Sequence, residues 1–126
     1  MARAISAILA AVLALNGLVM LFAGLWWYGA VPGVPTTGPY NPHFVRDIGA
    51  AYLVVGASLA AYAARPAKAW PALAASAAFL TLHAAIHVFD AACGSNPVHD
   101  AARDFGGVYL PAIVTLTLAL RPQRSA

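Results

Sequence analysis

Four long apolar stretches, separated by shorter polar connections, dominate this sequence of 126 residues. The stretches run over residues 4–28, 44–64, 70–89 and 105–120. A helix needs about 20 residues to cross a bilayer core, and the first three stretches reach that length. The fourth is shorter and contains Pro111, which predicts a thinner or kinked span. Because irregular backbone is not tolerated in lipid, the pattern predicts an all-α integral membrane protein, folded as one antiparallel four-helix bundle over residues 1–126.

Composition supports the membrane class. Hydrophobic residues make up 62% of the chain and charged residues only 9%, whereas a soluble domain is about a quarter charged. The net charge of +3 could suggest a nucleic-acid partner. The cations form no patch, however, and flank the apolar stretches as topology determinants do. We therefore expect the chain to lie in the lipid bilayer and to bind no nucleic acid.

The first stretch resembles a signal peptide only superficially. A signal's apolar region has about 7–15 residues. This stretch is longer and finishes in Trp26, Trp27 and Tyr28, which suit an interfacial aromatic belt. We expect a retained helix.

The connections carry their own signals. Residues 29–43 hold four prolines and predict a stiff loop, and Asn41 before Pro42 suits the start of a helix. Residues 65–69 predict a tight basic turn, and residues 90–104 a polar loop. Within the spans, alanine, glycine and serine are frequent, which favours close helix packing.

The cations predict the orientation. Five of the seven fall at the N-terminus, in the 65–69 turn and at the C-terminus: Arg3, Arg65, Lys68, Arg121 and Arg124. The positive-inside rule places that side in the cytoplasm. We expect a multi-pass protein of a bacterial inner membrane, with both termini cytoplasmic.

Acids and histidines segregate to the opposite, outer half. They are Asp47, Asp90, Asp100, Asp104, His43, His83, His87 and His99, and Arg46 and Arg103 join them. The cytoplasmic half has neither residue type. Solubility alone does not require such a segregation. The outer end of the bundle is therefore where a functional site is expected.

One helical stripe carries the strongest signal. His83, His87 and Asp90 are spaced four and three residues apart, so they share one face of the third span. His83 lies roughly 10 Å deeper than Asp90 at 1.5 Å per residue. An ionisable group at such depth is costly and indicates function by default. His43 and Asp47 form a second pair at i, i+4 on the neighbouring span.

These residue types favour a transition-metal site. The candidate ligands are His83, His87, His43, Asp47 and Asp90, with Arg46, His99 and Asp104 in supporting roles. Imidazole suits copper, zinc, iron and nickel, and two histidines four apart on a helix present two ligands together. We expect a metal, with copper favoured, at the periplasmic end, for metal handling or redox use.

Other interpretations of the same residues stay open. An imidazole could bind haem b as an axial ligand, although bis-histidine ligation usually needs imidazoles from two facing helices. The polar groups could form a satisfied hydrogen-bond network, a proton path or a small-molecule pocket. The chain could instead be an accessory subunit of a larger membrane complex, or a homo-oligomer. No catalytic triad, phosphate loop or dinucleotide fingerprint indicates an enzyme, and the single Cys93 excludes an internal disulfide.

The segment NPHFVRDIG at residues 41–49, followed by AYLVVG and later LHAAIHVFD, resembles small bacterial membrane proteins with four helices. These are broadly similar to the DoxX-like group, and the resemblance covers most of the chain. It implies the four-helix fold and an association with quinone-linked redox systems. No cofactor-binding residue is carried over with it.

Overall fold

The computed structural model describes residues 1–121, and in this part of the chain all regular structure is helical. The α-helices are α1 (Ala2–Phe22), α2 (Gly24–Ala30), α3 (Pro42–Ala64), α4 (Pro66–Cys93), α5 (Pro97–Asp104) and α6 (Leu110–Leu120). A 3-10 turn covers Val34–Thr36, and a π-helical segment, Phe105–Tyr109, joins α5 to α6. The predicted all-α class is confirmed.

Three helices, α1, α3 and α4, are long and apolar enough to cross a membrane. Helices α3 and α4 correspond to the second and third predicted stretches, and α1 to the greater part of the first. The fourth stretch is divided between the π-helical segment and α6, which alone has 11 residues. That length falls short of the roughly 20 residues that a bilayer core requires.

The first apolar stretch is two helices and not one. Ala23, with φ −133° and ψ 37°, interrupts the helix and precedes Gly24. The side chain of Asn16 bridges the break, because its Oδ1 accepts a hydrogen bond of 2.9 Å from Nε1 of Trp27. This bond sets α2 against the end of α1 and satisfies a polar side chain within an apolar helix.

Asparagine followed by proline begins two helices. Oδ1 of Asn41 accepts from the backbone N–H groups of His43 and Phe44, both at 3.1 Å, and caps α3. Asn96 caps α5 in the same way through the N–H of His99. A capping side chain and a proline in the first turn both favour a helix start. The predicted polar loop over residues 90–104 is therefore mostly helix.

The predicted basic turn over residues 65–69 is also shorter than expected. Arg65 alone separates α3 from α4, with φ −137° and ψ 72°. A residue before proline avoids the helical region, so Pro66 explains why the helix ends at Ala64.

Helices α1 and α3 make the most extensive contact in the bundle, and glycine permits it. A Cβ atom on Gly17 would lie 2.6 Å from the carbonyl oxygen of Gly49, and one on Gly56 would lie 2.9 Å from Cβ of Ala14. Neither distance leaves room for a methyl group. The predicted role of small residues in close packing is confirmed between these two helices.

The two ends of the bundle differ in chemistry. At one end, Arg3 donates to the carbonyl oxygens of Ala63 and Ala64, and Nε1 of Trp70 donates to that of Ala119. The N-terminus, the α3–α4 connection and the end of α6 therefore lie together, as the cation pattern predicts. Arg124, another predicted cation of this end, lies outside the described residues. The histidines and aspartates lie at the opposite end.

Candidate metal centre

The stripe on α4 brings two of its three predicted residues together. His83 and His87 are partly buried, and their ring centroids are 4.8 Å apart with the planes inclined by 66°. The side chain of Asp90 is exposed, and its carboxylate has no hydrogen bond or ion pair within residues 1–121. The four-residue spacing therefore places two imidazoles in contact, while the carboxylate one turn further on is exposed and takes no part in that contact.

Aromatic side chains surround the deeper histidine. Nε2 of His83 lies 3.2 Å from Oη of Tyr52, which projects from α3. The ring of Phe79, one turn below on α4, stacks on His83 with a centroid separation of 6.1 Å and an interplanar angle of 10°. These contacts fix the imidazole at the interface between α3 and α4.

The outer histidine is held by a carboxylate. Nδ1 of His87 lies 2.7 Å from Oδ2 of Asp104, the last residue of α5. A carboxylate can only accept, so the imidazole donates from Nδ1, and in the neutral ring Nε2 carries the free lone pair. A carboxylate acceptor on one nitrogen is the usual orienting partner of a metal-binding histidine.

Arg103 connects this pair to the rest of the outer end. Its Nε and Nη2 donate to the two carboxylate oxygens of Asp104, at 2.8 and 3.2 Å, and its Nη1 donates to Asp100 at 2.8 Å. The guanidinium also lies against Gly33 of the proline-rich loop, where a Cβ atom would be 2.5 Å from Nε. Gly33 has φ +87°, a conformation that glycine adopts without strain. The loop, α5 and α4 thus meet around one arginine.

These contacts shift the ionisation of the outer groups. Burial raises the pKa of the Asp104 carboxyl, but hydrogen bonds from Arg103 and His87, together with their charges, outweigh it and leave the pKa below its ordinary value. The hydrogen bond to Asp104 is the main cause that raises the pKa of Arg103 above its ordinary value. Asp104 is therefore an anion and Arg103 a cation over the whole physiological range.

The remaining predicted residues lie apart from the two central histidines. His43 and Asp47 pair with each other at 3.3 Å, and their side chains are 88% and 63% exposed. The imidazole of His99 pairs with Asp100 at 3.4 Å and is 68% exposed. Arg46 is exposed and has no ion-pair partner in the described chain; the carboxylate of Asp104 is held by Arg103.

The contacts above form one polar cluster of Tyr52, His83, His87, Arg103 and Asp104. Two of its residues, Tyr52 and Arg103, could not be singled out from the sequence. Tyr52 lies within the apolar run AYLVV and shows no motif. Its one signal is that a buried phenol usually needs a hydrogen-bond partner. The sequence predicts that Arg103 lies in the outer half, but the contacts of Arg103 depend on α5 being a helix.

The described residues contain no group of three or more histidine, cysteine, aspartate or glutamate side chains arranged to hold a metal ion. What the structure does bring together is a pair of imidazoles, a carboxylate that orients one of them and a phenol beside the other. Such a group can bind a metal through two imidazoles, or satisfy itself as a hydrogen-bond network.

Comparison of the sequence with models of protein families, with curated proteins and with solved structures finds no match. The resemblance to DoxX-like proteins stays a prediction.

Proposed function

We propose that this chain is a small multi-pass membrane protein that binds a transition-metal ion, with copper favoured, through His83 and His87. The protein would handle this metal, or use it in redox chemistry, at the outer, periplasmic end of the bundle. The observation that carries the proposal is the 2.7 Å contact between Nδ1 of His87 and Oδ2 of Asp104. A second imidazole, that of His83, lies beside His87 with its ring centroid 4.8 Å away. The contact with Asp104 leaves Nε2 of His87 free, as a ligand nitrogen must be.

The proposed ligand set is smaller than the sequence suggests. His43 and Asp47 satisfy each other at the surface, and Asp90 is exposed. Two imidazoles leave coordination positions for water, for a further ligand or for a protein that accepts the metal. Open positions suit transfer or redox chemistry better than permanent structural binding.

Removal of matched pairs of histidines tests this proposal. The purified untagged chain is equilibrated with copper, freed of excess ion and analysed for bound metal by mass spectrometry. The variant H83A/H87A is expected to lose the bound copper, whereas H43A/H99A, which removes two exposed imidazoles, is expected to retain it. Equal copper in both variants would reject the His83–His87 site.

The proposed membrane arrangement has four crossings. The π-helical segment and α6 together span 16 residues, or roughly 24 Å at 1.5 Å per residue. The bond between Trp70 and Ala119 supports a crossing, because it joins the end of α6 to the start of α4. The positive-inside rule then places both termini in the cytoplasm.

Cys93 provides a direct test of this topology, because it is the single cysteine of the chain and is exposed. A thiol reagent that cannot cross membranes should label Cys93 in intact cells from the periplasmic side. Labelling only after the inner membrane is opened would place this end in the cytoplasm and reverse the proposed orientation.

Haem b is a weaker candidate than a metal ion. His83 and His87 project from the same helix, so they cannot take opposite axial positions on one iron. Single-histidine ligation would still give a Soret band in the purified chain, and its appearance would favour haem over copper.

A second candidate function is that of an accessory subunit in a larger membrane complex. It is favoured by the hydrogen bonds of Asp104, which accepts from His87 and twice from Arg103 and so needs no metal to be satisfied. In this case the cluster stabilises the outer end of the bundle or contacts a partner. Extraction of the untagged chain from native membranes in a mild detergent discriminates the two, since a subunit migrates with its complex and a self-sufficient metal protein migrates alone.

A further inference from the structure

The distance between the side chains of Tyr52 and His83 fits a hydrogen bond and also fits two atoms that bind the same metal ion. Oη of Tyr52 lies 3.2 Å from Nε2 of His83. This is a hydrogen-bond distance. It is also close to the separation of two ligand atoms that bind one metal, since bonds of about 2.0–2.1 Å at tetrahedral or square-planar angles place such atoms about 3 Å apart.

We propose that Tyr52 is the third ligand of the metal site and that the site holds copper in its oxidised state, Cu²⁺. This inference rests on the proposed function, because it adds a ligand to the site of His83 and His87. The ligands would then come from two helices, with Tyr52 on α3 and both histidines on α4. The metal would join these helices near the outer end of the bundle.

The chemistry of the phenol favours the oxidised ion. Imidazole binds copper in either oxidation state, whereas an anionic oxygen ligand disfavours the soft cuprous ion. Binding breaks the phenol O–H bond and forms the oxygen–copper bond, and the proton leaves to solvent, as it does whenever a metal binds a protonated ligand. The negative phenolate also offsets part of the metal charge at a depth where uncompensated charge is costly.

Packing holds the phenol in place for this role. Tyr52 is 6% exposed, and its ring meets the rings of Phe79 and His83 edge-on, at 6.2 and 6.0 Å and at angles of 88° and 87°. A ring confined on two sides moves little. A ligand that is fixed before the metal arrives loses little conformational entropy when it binds.

A phenolate bound to Cu²⁺ has a visible charge-transfer band, which imidazole ligands alone do not produce. The test adds Cu²⁺ to the purified untagged chain and records visible absorption and affinity. The variant Y52F is compared with Y62F, because Tyr62 is an equally buried tyrosine of the same helix. We expect the band in the wild-type chain and in Y62F and its loss in Y52F. The affinity of Y52F should fall by about tenfold or more, since loss of even an outer hydrogen-bond partner of a metal ligand costs 10–100-fold.

The outcomes separate the two proposals. If the wild-type chain binds Cu²⁺ with the same spectrum and affinity as Y52F, Tyr52 is not a ligand although the histidine site stands. If the wild-type chain binds no copper at all, the proposed function fails and the role of Tyr52 fails with it. Resonance Raman spectra of the wild-type copper complex give the same answer without any variant, because phenolate ring modes are enhanced only when the phenolate binds the metal.

Discussion

Nδ1 of His87 donates a hydrogen bond of 2.7 Å to Oδ2 of Asp104, across the 17 residues that separate them in the chain. This bond joins the outer part of α4 to the end of α5. It sets the tautomer of the imidazole and, through Asp104, links it to Arg103. The orientation of His87 in the proposed site depends on this pair.

Replacement of Asp104 by asparagine should weaken metal binding. The amide retains the size of the side chain but loses the charge that holds His87 in its tautomer and orientation. We expect the affinity for copper to fall by about 10–100-fold, the usual cost of losing such an outer partner. Asp90→Asn is the matched control, because Asp90 is exposed and should leave the affinity unchanged. Titration calorimetry measures both, and a larger effect at Asp90 would restore it as a ligand and contradict the present assignment.

The lowered pKa of Asp104 predicts a dependence of stability on pH. A carboxyl whose pKa is lower in the folded than in the unfolded state stabilises the fold fully above its unfolded pKa, and the stabilisation disappears as the pH falls through the folded value. The wild-type chain should therefore exceed Asp104→Asn in stability at neutral pH, and this difference should shrink on acidification below about pH 4. Unfolding of the detergent-solubilised metal-free chain across this range measures it. A difference that is constant with pH would show that the charge of Asp104 contributes nothing.

Gly17 should be intolerant of a side chain. A Cβ atom there would lie 2.6 Å from the backbone carbonyl oxygen of Gly49, which cannot rotate away. We expect Gly17→Ala to destabilise the fold by about 1–3 kcal/mol through overpacking of α1 against α3. Gly29→Ala is the control, since nothing lies within 4 Å of the added atom, and it should stabilise α2 by up to about 1 kcal/mol. Thermal unfolding in one detergent compares them, and a similar sign for both would argue against the close contact.

Tyr109 offers a stabilising substitution. Its Oη is buried and has no hydrogen-bond partner within the described residues. Removal of an unsatisfied hydroxyl relieves its desolvation penalty, so Tyr109→Phe should stabilise the fold by about 1 kcal/mol.

Tyr28→Phe is the opposite case, because Oη of Tyr28 donates to the carbonyl oxygen of Gly38 at 2.6 Å. This variant should destabilise by about 0.5–1.5 kcal/mol. Unfolding by denaturant distinguishes the pair. A loss of stability in Tyr109→Phe would mean that its hydroxyl has a bonded partner in solution.

Much of the helical framework follows from the sequence. Length and apolarity predict α1, α3 and α4, and the Asn41–Pro42 pair predicts where α3 begins. The same two residue types at Asn96 and Pro97 begin α5, but the polar sequence around them favoured a loop. Local capping outweighs composition at this point, which periodicity over a short segment could not reveal.

The site was harder to predict than the helices. The spacing of His83 and His87 is a local property of a helix, and their contact follows from it. The partners of these histidines, Tyr52 and Asp104, come from other helices, so they depend on helix register and rotation. The i, i+4 spacing of His43 and Asp47 predicts their mutual contact but not the direction in which the pair faces.

The most direct test of the central claim is the metal content of the wild-type chain, purified in detergent without a histidine tag or chelator and equilibrated with copper. Elemental analysis by mass spectrometry should find close to one copper ion per chain. The absence of bound metal after separate incubation with copper, zinc and iron would contradict the metal site, and the polar cluster would then be a hydrogen-bond network that joins the outer end of the bundle.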